Sequence, residues 1–304
     1  TALAPQPHDA AELVGISHEC DYPESIRSLP VLTESKVNHT AASDKIHTEV
    51  QSLMLTALSL YCVKEEMLEA VQPDVIITQE QCKVCAVTPG DVQLAMKKMI
   101  GKNIEIVSLN PDSLGGIFTD IRSIGESIGC GGEADKLIEL MRRRIEHVRR
   151  QTDALHKPRV AFIEWIDPIF IGGNWMPELI EAAGGTALFA KAGEHSGVYM
   201  LEQITAENPD VIVVSPCGFK LDQTERDLHL LTSKPAWRGL NAVQQGRVFL
   251  ADGNEYFNRS SYRIIDSLEM LARMLHPETF PAPPDAPNQK QTVKRLSQAA
   301  AVHP

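Results

Sequence analysis

Two stretches of this chain share one grammar. LEAVQPDVIITQEQC, from Leu68 to Cys82, and ITAENPDVIVVSPCG, from Ile204 to Gly218, each run from a helix end through Pro-Asp into a short apolar run and then a polar loop with a cysteine. Proline cannot continue the helix, and a compact apolar run bounded in this way fits a strand buried on both faces of a parallel sheet. A repeated unit of this kind predicts two α/β lobes. Each would place its polar loop at a strand C-terminus, where open α/β sheets bind ligands. The competing arrangement is one doubly wound sheet, in which successive βα units look alike by necessity.

The rest of the chain is consistent with two lobes. Residues 1–15 are Ala/Pro-rich and expected to be loose, and a short helical turn is expected after Pro23. Helical spacing of Val50, Leu53, Met54, Ala57, Leu58 and Tyr61 predicts one helix over about 45–70, capped by Asp44. Residues 91–100 read as a short helix and NIEIVSLN as a strand. From Ser113 to about Leu155 a helical pattern persists, broken only by GCGG at 129–132. Its length exceeds that of an ordinary globular helix, and a spine joining two lobes explains it. RVAFIEW and RVFLADG then read as strands, and MPELIEAAGG and SSYRIIDSLEMLARMLHP as helices. The expected division is an N-terminal lobe over 1–112, a linking helical segment over 113–155, a C-terminal lobe over 156–280 and a loose tail over 281–304.

Composition excludes several function classes. The net charge of −11 over 304 residues disfavours nucleic acid. The basic cluster MRRRIEHVRR, at 141–150, falls in a helical pattern and reads as a solvated face. No run approaches the roughly 18 apolar residues of a membrane-spanning helix. TALAPQPHDAAEL lacks the basic start and apolar core of a signal peptide, which leaves a cytoplasmic location open. Six cysteines are too few for a disulfide-built fold.

Three groups of residues have chemical character. CKVC, Cys82 to Cys85, is compatible with a redox dithiol, half of a metal site or a local disulfide, and Cys20, Cys217 and His18 occupy other loops from which they could join it. His18, Glu19, Cys20, Asp21 and Tyr22 cluster before Pro23. His18 there suits a base, a hydrogen-bonding loop residue or an axial ligand to a metal macrocycle, but no GxSxG or HExxH accompanies it. GCGGEA lacks the spacing and strand context of a nucleotide fingerprint. Most distinctive is EWIDPIFIGGNWMPEL, Glu164 to Leu179, which holds two of the chain's three tryptophans at a strand end, a loop and a helix start. Trp165, Phe170, Trp175 and Tyr22, with Phe219, Tyr256 and Phe257 after later strands, offer flat apolar area. Asp167, Asn174, Asn254 and Arg259 lie beside them in the sequence. That combination suits a large, partly flat ligand.

GISHECDYP, LSLYCV, PDVIITQEQCKVCAV, RVAFIEWIDPIFIGGNWMPEL and NEYFNRS together resemble the corrinoid (vitamin B12)-binding branch of the periplasmic solute-binding proteins that serve iron-siderophore and cobalamin ABC importers. The resemblance spans about residues 13–277. It implies two Rossmann-like lobes joined by a long rigid helix with the ligand cleft between them, and a binding protein without catalysis. It also implies an extracytoplasmic location, an ABC permease and ATPase as partners, and a monomer. By position, His18, Glu19, Asp21, Tyr22 and Gln81 would line one lobe. Trp165, Asp167, Trp175, Phe219, Tyr256 and Phe257 would line the other, and Asp91 and Glu202 would meet the permease. Cys20, Cys82, Cys85 and Cys217 are carried as a metal or disulfide set, richer than a cobalamin binder needs, so haem stays beside cobalamin as a ligand. The family's opening strand and Ser/Thr-rich turn are not matched here: TALAPQPHDAAEL is either a divergent remnant of them or the first strand is missing. The alternatives are a metal- or thiol-dependent enzyme using Cys82, Cys85 and His18, and a haem or corrinoid carrier without a transporter.

Overall fold

In the computed structural model, residues 2–5, 11–56, 60–79, 90, 104–281 and 292–297 are described. The chain divides into two compact units. The first comprises Thr1–Ala41, Lys45–Pro111 and Phe118–Ile138, and the second Ala42–Asp44, Asp112–Ile117 and Glu139–Pro304.

The first unit holds a sheet of β1 (Ala2–Pro5), β2 (Ala11–Gly15), β5 (Val75–Gln79) and β6 (Glu105–Leu109), in the order β2-β1-β5-β6. β5 and β6 are parallel, as the repeated unit requires, whereas β1 pairs antiparallel with both β2 and β5. Residues 2–5 and 11–15 are therefore not loose, because β1 occupies the edge that β5 would otherwise leave open and β2 pairs with β1. The helix expected over 45–70 is instead α1 (Ser43–Thr56), β4 (Tyr61–Val63) and α2 (Glu65–Val71). Local periodicity loses there to pairing: β4 forms an antiparallel ribbon with β3 (Thr33–Ser35), and Leu60 and Tyr61 are buried. Asp44 sits inside α1 rather than capping it, and the Ser43 amide donates to the buried Asp227 carboxylate (2.7 Å). A 3₁₀ turn covers Glu24–Ser28, as expected after Pro23. The helix read over 91–100 lies outside the described residues.

The helical pattern after Ser113 is realised as α3 (Leu114–Ser127) and α4 (Gly131–Thr152). They meet at Gly129, whose φ of +74° is open to glycine without strain, and the Cys130 amide closes the turn on the Gly125 carbonyl (2.6 Å). The divisions between the two units fall inside both helices. The basic face of α4 is mostly solvated: Arg143 and Arg150 pair with Glu139 and Glu146 one turn back.

The second unit is built on a seven-stranded sheet in which β7 (Arg159–Trp165), β11 (Val211–Val214) and β12 (Val248–Ala251) run parallel at the centre. Every residue of β11 and β12 is buried, which explains why both read as continuous apolar runs. The short β9 (Thr186–Ala187) pairs parallel with β7. β8 (Ile169–Ile171) and β10 (Gly197–Tyr199) extend the sheet antiparallel on one side. β13 (Val293–Arg295) does so on the other. Over residues 292–297 that strand corrects the expectation of a loose tail, since Leu296 is buried against the core and its amide donates to Val248 (2.9 Å). Around the sheet lie α5 (Met176–Ala182), α6 (Leu201–Glu207), α7 (Leu221–Asp227), three single helical turns and α8 (Ile264–Leu275).

The repeated unit holds in detail. α2 ends on Gln72 and α6 on Asn208, both left-handed at φ 47° and 45°, and each then passes through Pro-Asp into a central parallel strand.

Candidate functional site

In the second unit the parallel strands β7, β11 and β12 deliver their following loops to one edge of the sheet, the position from which α/β sheets bind ligands. The loops are tied together through the backbone. Cys217 donates to the Glu164 carbonyl (3.0 Å), and Gly253 and Asn254 both donate to the Phe219 carbonyl (2.9 and 3.0 Å). Gly253 is required by close approach, because a Cβ there would meet the Pro216 carbonyl oxygen at 2.1 Å. Asp252 accepts from the Asn254 and Glu255 amides and holds the turn that carries Tyr256.

Trp165, at the end of β7, packs edge-on against Phe219 with ring centroids 5.2 Å apart. The indole is partly exposed, and its Nε1–H is buried without a hydrogen-bond partner. Such a donor is costly to leave unmet, and it marks a position that a ligand acceptor would satisfy. Tyr256 and Asp167 are half-buried, and the Arg263 guanidinium lies over the Tyr256 ring at 4.4 Å. Three expected contact residues are core residues instead. Trp175 is 5 % exposed and spends its Nε1–H on the Phe257 carbonyl (3.0 Å). Phe257 is fully buried against Phe162, and Phe219 is buried behind Trp165. Their aromatic faces are already covered by protein, so they shape the loops rather than present surface.

Sequence reasoning passed over Glu164, beside Trp165. Burial raises its carboxyl pKa, while a hydrogen bond from Ser196 opposes the rise. The Gly173 amide also donates to the Ser196 hydroxyl (3.0 Å). No local pattern announces this link, because Ser196 comes from the segment that leads into β10. Gly173 permits it: a Cβ would lie 2.3 Å from the Glu194 carbonyl oxygen.

In the first unit, the loop after β2 carries His18, Glu19, Cys20, Asp21 and Tyr22. Tyr22 is 51 % exposed and precedes a cis Pro23. Asp21 accepts from Arg27 through its carbonyl (3.1 Å), and the Cys20 thiol lies 3.3 Å from the Ser17 hydroxyl. His18 is held by β3: its amide donates to the Thr33 hydroxyl (3.0 Å), and its Nδ1 lies 2.7 Å from the same oxygen. The Tyr61 ring packs 5.2 Å from the imidazole. Burial lowers the His18 pKa; nearby Glu19 and Glu34 oppose this, and His39 and Lys64 reinforce it. Thr33 and His39 escaped sequence reasoning, and Tyr61 was read as a helix position rather than as a neighbour of His18, since none belongs to a motif with His18.

Gln81, Cys82, Cys85 and Asp91 lie outside the described residues. Cys20 and Cys217 belong to different compact units and neither forms a disulfide. Glu202 is exposed in the first turn of α6, between Met200 (68 % exposed) and the following helix face. A cavity of about 370 Å³ opens where β12 begins, lined by Arg247, Arg273, Arg295 and Phe249 among others. Two of these arginines serve the fold: Arg247 donates to the Leu275 carbonyl and Arg295 to that of Gly246.

Residues 34–255 match the family model described as periplasmic binding protein. An uncharacterized ABC transporter substrate-binding lipoprotein of Bacillus subtilis is 26 % identical over 226 residues, 72 % of this chain and 67 % of that protein. A vitamin B12-binding protein of Yersinia pestis is 22 % identical over 267 residues, covering 87 % of this chain and 79 % of the relative. Among solved structures, a periplasmic heme-binding protein of Pseudomonas aeruginosa superposes with a TM-score of 0.60 at 17 % identity, covering 87 % of this chain and 85 % of that one.

Proposed function

The chain belongs to the periplasmic binding protein family, and on that premise we propose that it captures a corrinoid, cobalamin or a close relative, and passes it to an ABC permease. At the coarser level it is a non-catalytic substrate-binding protein of the class that serves ABC import of B12, haem or siderophores, with the two-lobe α/β fold of that class. The family is extracytoplasmic, and among the described residues no helix is long and apolar enough to cross a membrane.

The observation that carries the corrinoid reading is Trp165. A part-exposed indole is braced by Phe219, its N–H is unmet, and the half-buried Asp167 and Tyr256 follow β7 and β12, the strands on either side of β11. Flat apolar area with unsatisfied polar edges is what a large macrocycle with peripheral amides would use. In the first unit we assign the exposed Tyr22 the same role, with Asp21 and Glu19 beside it. Glu202 is assigned to permease docking, where an exposed carboxylate beside the exposed Val198 and Met200 offers both charge and apolar contact.

A haem ligand is the second reading, favoured by His18 Nε2, which has no hydrogen-bond partner. Mixing the protein separately with aquocobalamin, haemin and a ferric siderophore, then passing each mixture over gel filtration, tests both. One-to-one co-elution with aquocobalamin is expected. Haemin co-elution with a band shift lost in His18→Ala would replace corrinoid by haem, and co-elution of none of the three would overturn chelate capture.

A further inference from the structure

The His18 ring is held at Nδ1, and its other nitrogen has no hydrogen-bond partner. Thr33 Oγ1 sits 2.7 Å from Nδ1 and also accepts the His18 amide, while Tyr61 packs against the ring. In the tautomer that donates Nδ1–H to Thr33, Nε2 carries the lone pair. That nitrogen is buried without a hydrogen-bond partner. Metal-bound histidines are held in this way, with the second ring nitrogen hydrogen-bonded so that the first is aimed and made more basic.

Two further potential ligands reach the same point. Glu19 Oε1 lies 3.4 Å from His18 Nε2, close to the separation of about 3.3 Å between two ligands on a tetrahedral ion with bonds near 2.0–2.1 Å. His39, from the turn after β3, brings a second imidazole, and the ligand atoms of all three residues lie within 4.8 Å of one another. The three come from two loops, both anchored on the β3–β4 ribbon and its neighbours within one compact unit.

We propose that His18, Glu19 and His39 form a binding site for a single divalent transition-metal cation of the Zn²⁺ or Co²⁺ type, with a fourth position open to water or an exogenous donor. Two imidazoles and one carboxylate suit borderline cations; Ca²⁺ and Mg²⁺ take oxygen cages, and Cu(I) takes sulfur. The surrounding charge is mixed: Glu34 adds a favourable carboxylate and Lys64 opposes the cation. The balance still favours binding, because Glu19 contacts the ion directly. The site requires no chelate, so it goes beyond capture of a macrocycle.

The full chain, stripped with EDTA and kept reduced, is titrated with Co²⁺ alone and followed by visible absorbance. The expected result is one equivalent bound, with d–d bands of a four- or five-coordinate ion, no thiolate charge-transfer band in the near ultraviolet, and displacement by Zn²⁺. His18→Ala should lower affinity at least 100-fold and the exposed His39→Ala at least 10-fold. Thr33→Val, which removes only the oxygen that aims His18, should weaken binding 10- to 100-fold. Circular dichroism of His39→Ala confirms that the variant is folded. Absence of binding below millimolar Co²⁺ overturns the site. So does binding that shows a thiolate band and is unmoved by His39→Ala, which would assign the ion to cysteines. Because no chelate is present, failure here leaves the corrinoid reading standing, and failure of corrinoid capture leaves this site standing.

Discussion

Replacing Asp120 by Asn should raise the stability of the first unit at neutral pH and leave it unchanged in acid. Asp120 lies in α3, and burial lifts its carboxyl pKa from 3.8 to about 6, against a backbone hydrogen bond from Asn110 that pulls the other way. Its Oδ2 is buried without a hydrogen-bond partner. Below the unfolded value of 3.8 the group is protonated in both states. As pH rises, the unfolded chain ionises first while the native state resists, so stability is lost between about pH 4 and 6, and the loss is complete above about pH 7. At about 1.4 kcal/mol per unit the full shift corresponds to about 3 kcal/mol. The side chain is only half-buried, so solvent screening reduces the expected effect to about 1–1.5 kcal/mol. Asn keeps an oxygen to accept from Asn110 and cannot ionise. Urea unfolding of both proteins from pH 4 to 8 measures the difference. The readout should be far-UV circular dichroism or amide exchange of α3, because Trp165, Trp175 and Trp237 all lie in the second unit. Parallel stability curves, with a gap that does not widen with pH, would refute the reasoning.

Trp165→Phe keeps the ring against Phe219 and deletes only the unmet N–H; chelate affinity should fall about 5- to 10-fold, the worth of one hydrogen bond, with the thermal midpoint unchanged in calorimetry. Gln72→Gly should stabilise the protein by about 0.5–1 kcal/mol, since Gln72 sits at a left-handed helix end, and Gln72→Val should destabilise it in the same denaturation series. Glu202→Arg should abolish stimulation of the permease's ATPase in reconstituted vesicles while leaving the chelate dissociation constant within about twofold, since rim charges act mainly on encounter.

Much of the second unit was legible without coordinates. RVAFIEW is a strand over the predicted residues, and the Pro-Asp unit produced the same left-handed cap and parallel strand twice, because proline, helix ends and compact apolar runs act through neighbours in sequence. The aromatic segment stood out in the sequence, but its two tryptophans were not distinguished. Trp165 keeps a partly open face and an unmet N–H, whereas Trp175, ten residues on, is sealed in the core and bonded to Phe257. Residue type and position after a strand look the same in both.

What the sequence determined by itself was therefore the repeated helix, Pro-Asp and strand unit, the two α/β lobes it predicts and, in the second unit, the sheet edge at which loops follow the parallel strands. Only the tertiary structure decided which side chains of those loops are buried and which stay exposed. The Ser43 amide is met by Asp227, 184 residues away, and that of Leu114 by Glu178. β4 displaced a helix because β3 was there to pair with it. β13 left the tail because β12 had an open edge. His39 stands beside His18 through folding of two loops with no shared motif. Periodicity and capping act over a turn of chain, whereas burial and unmet hydrogen bonds are set by residues that only packing brings together.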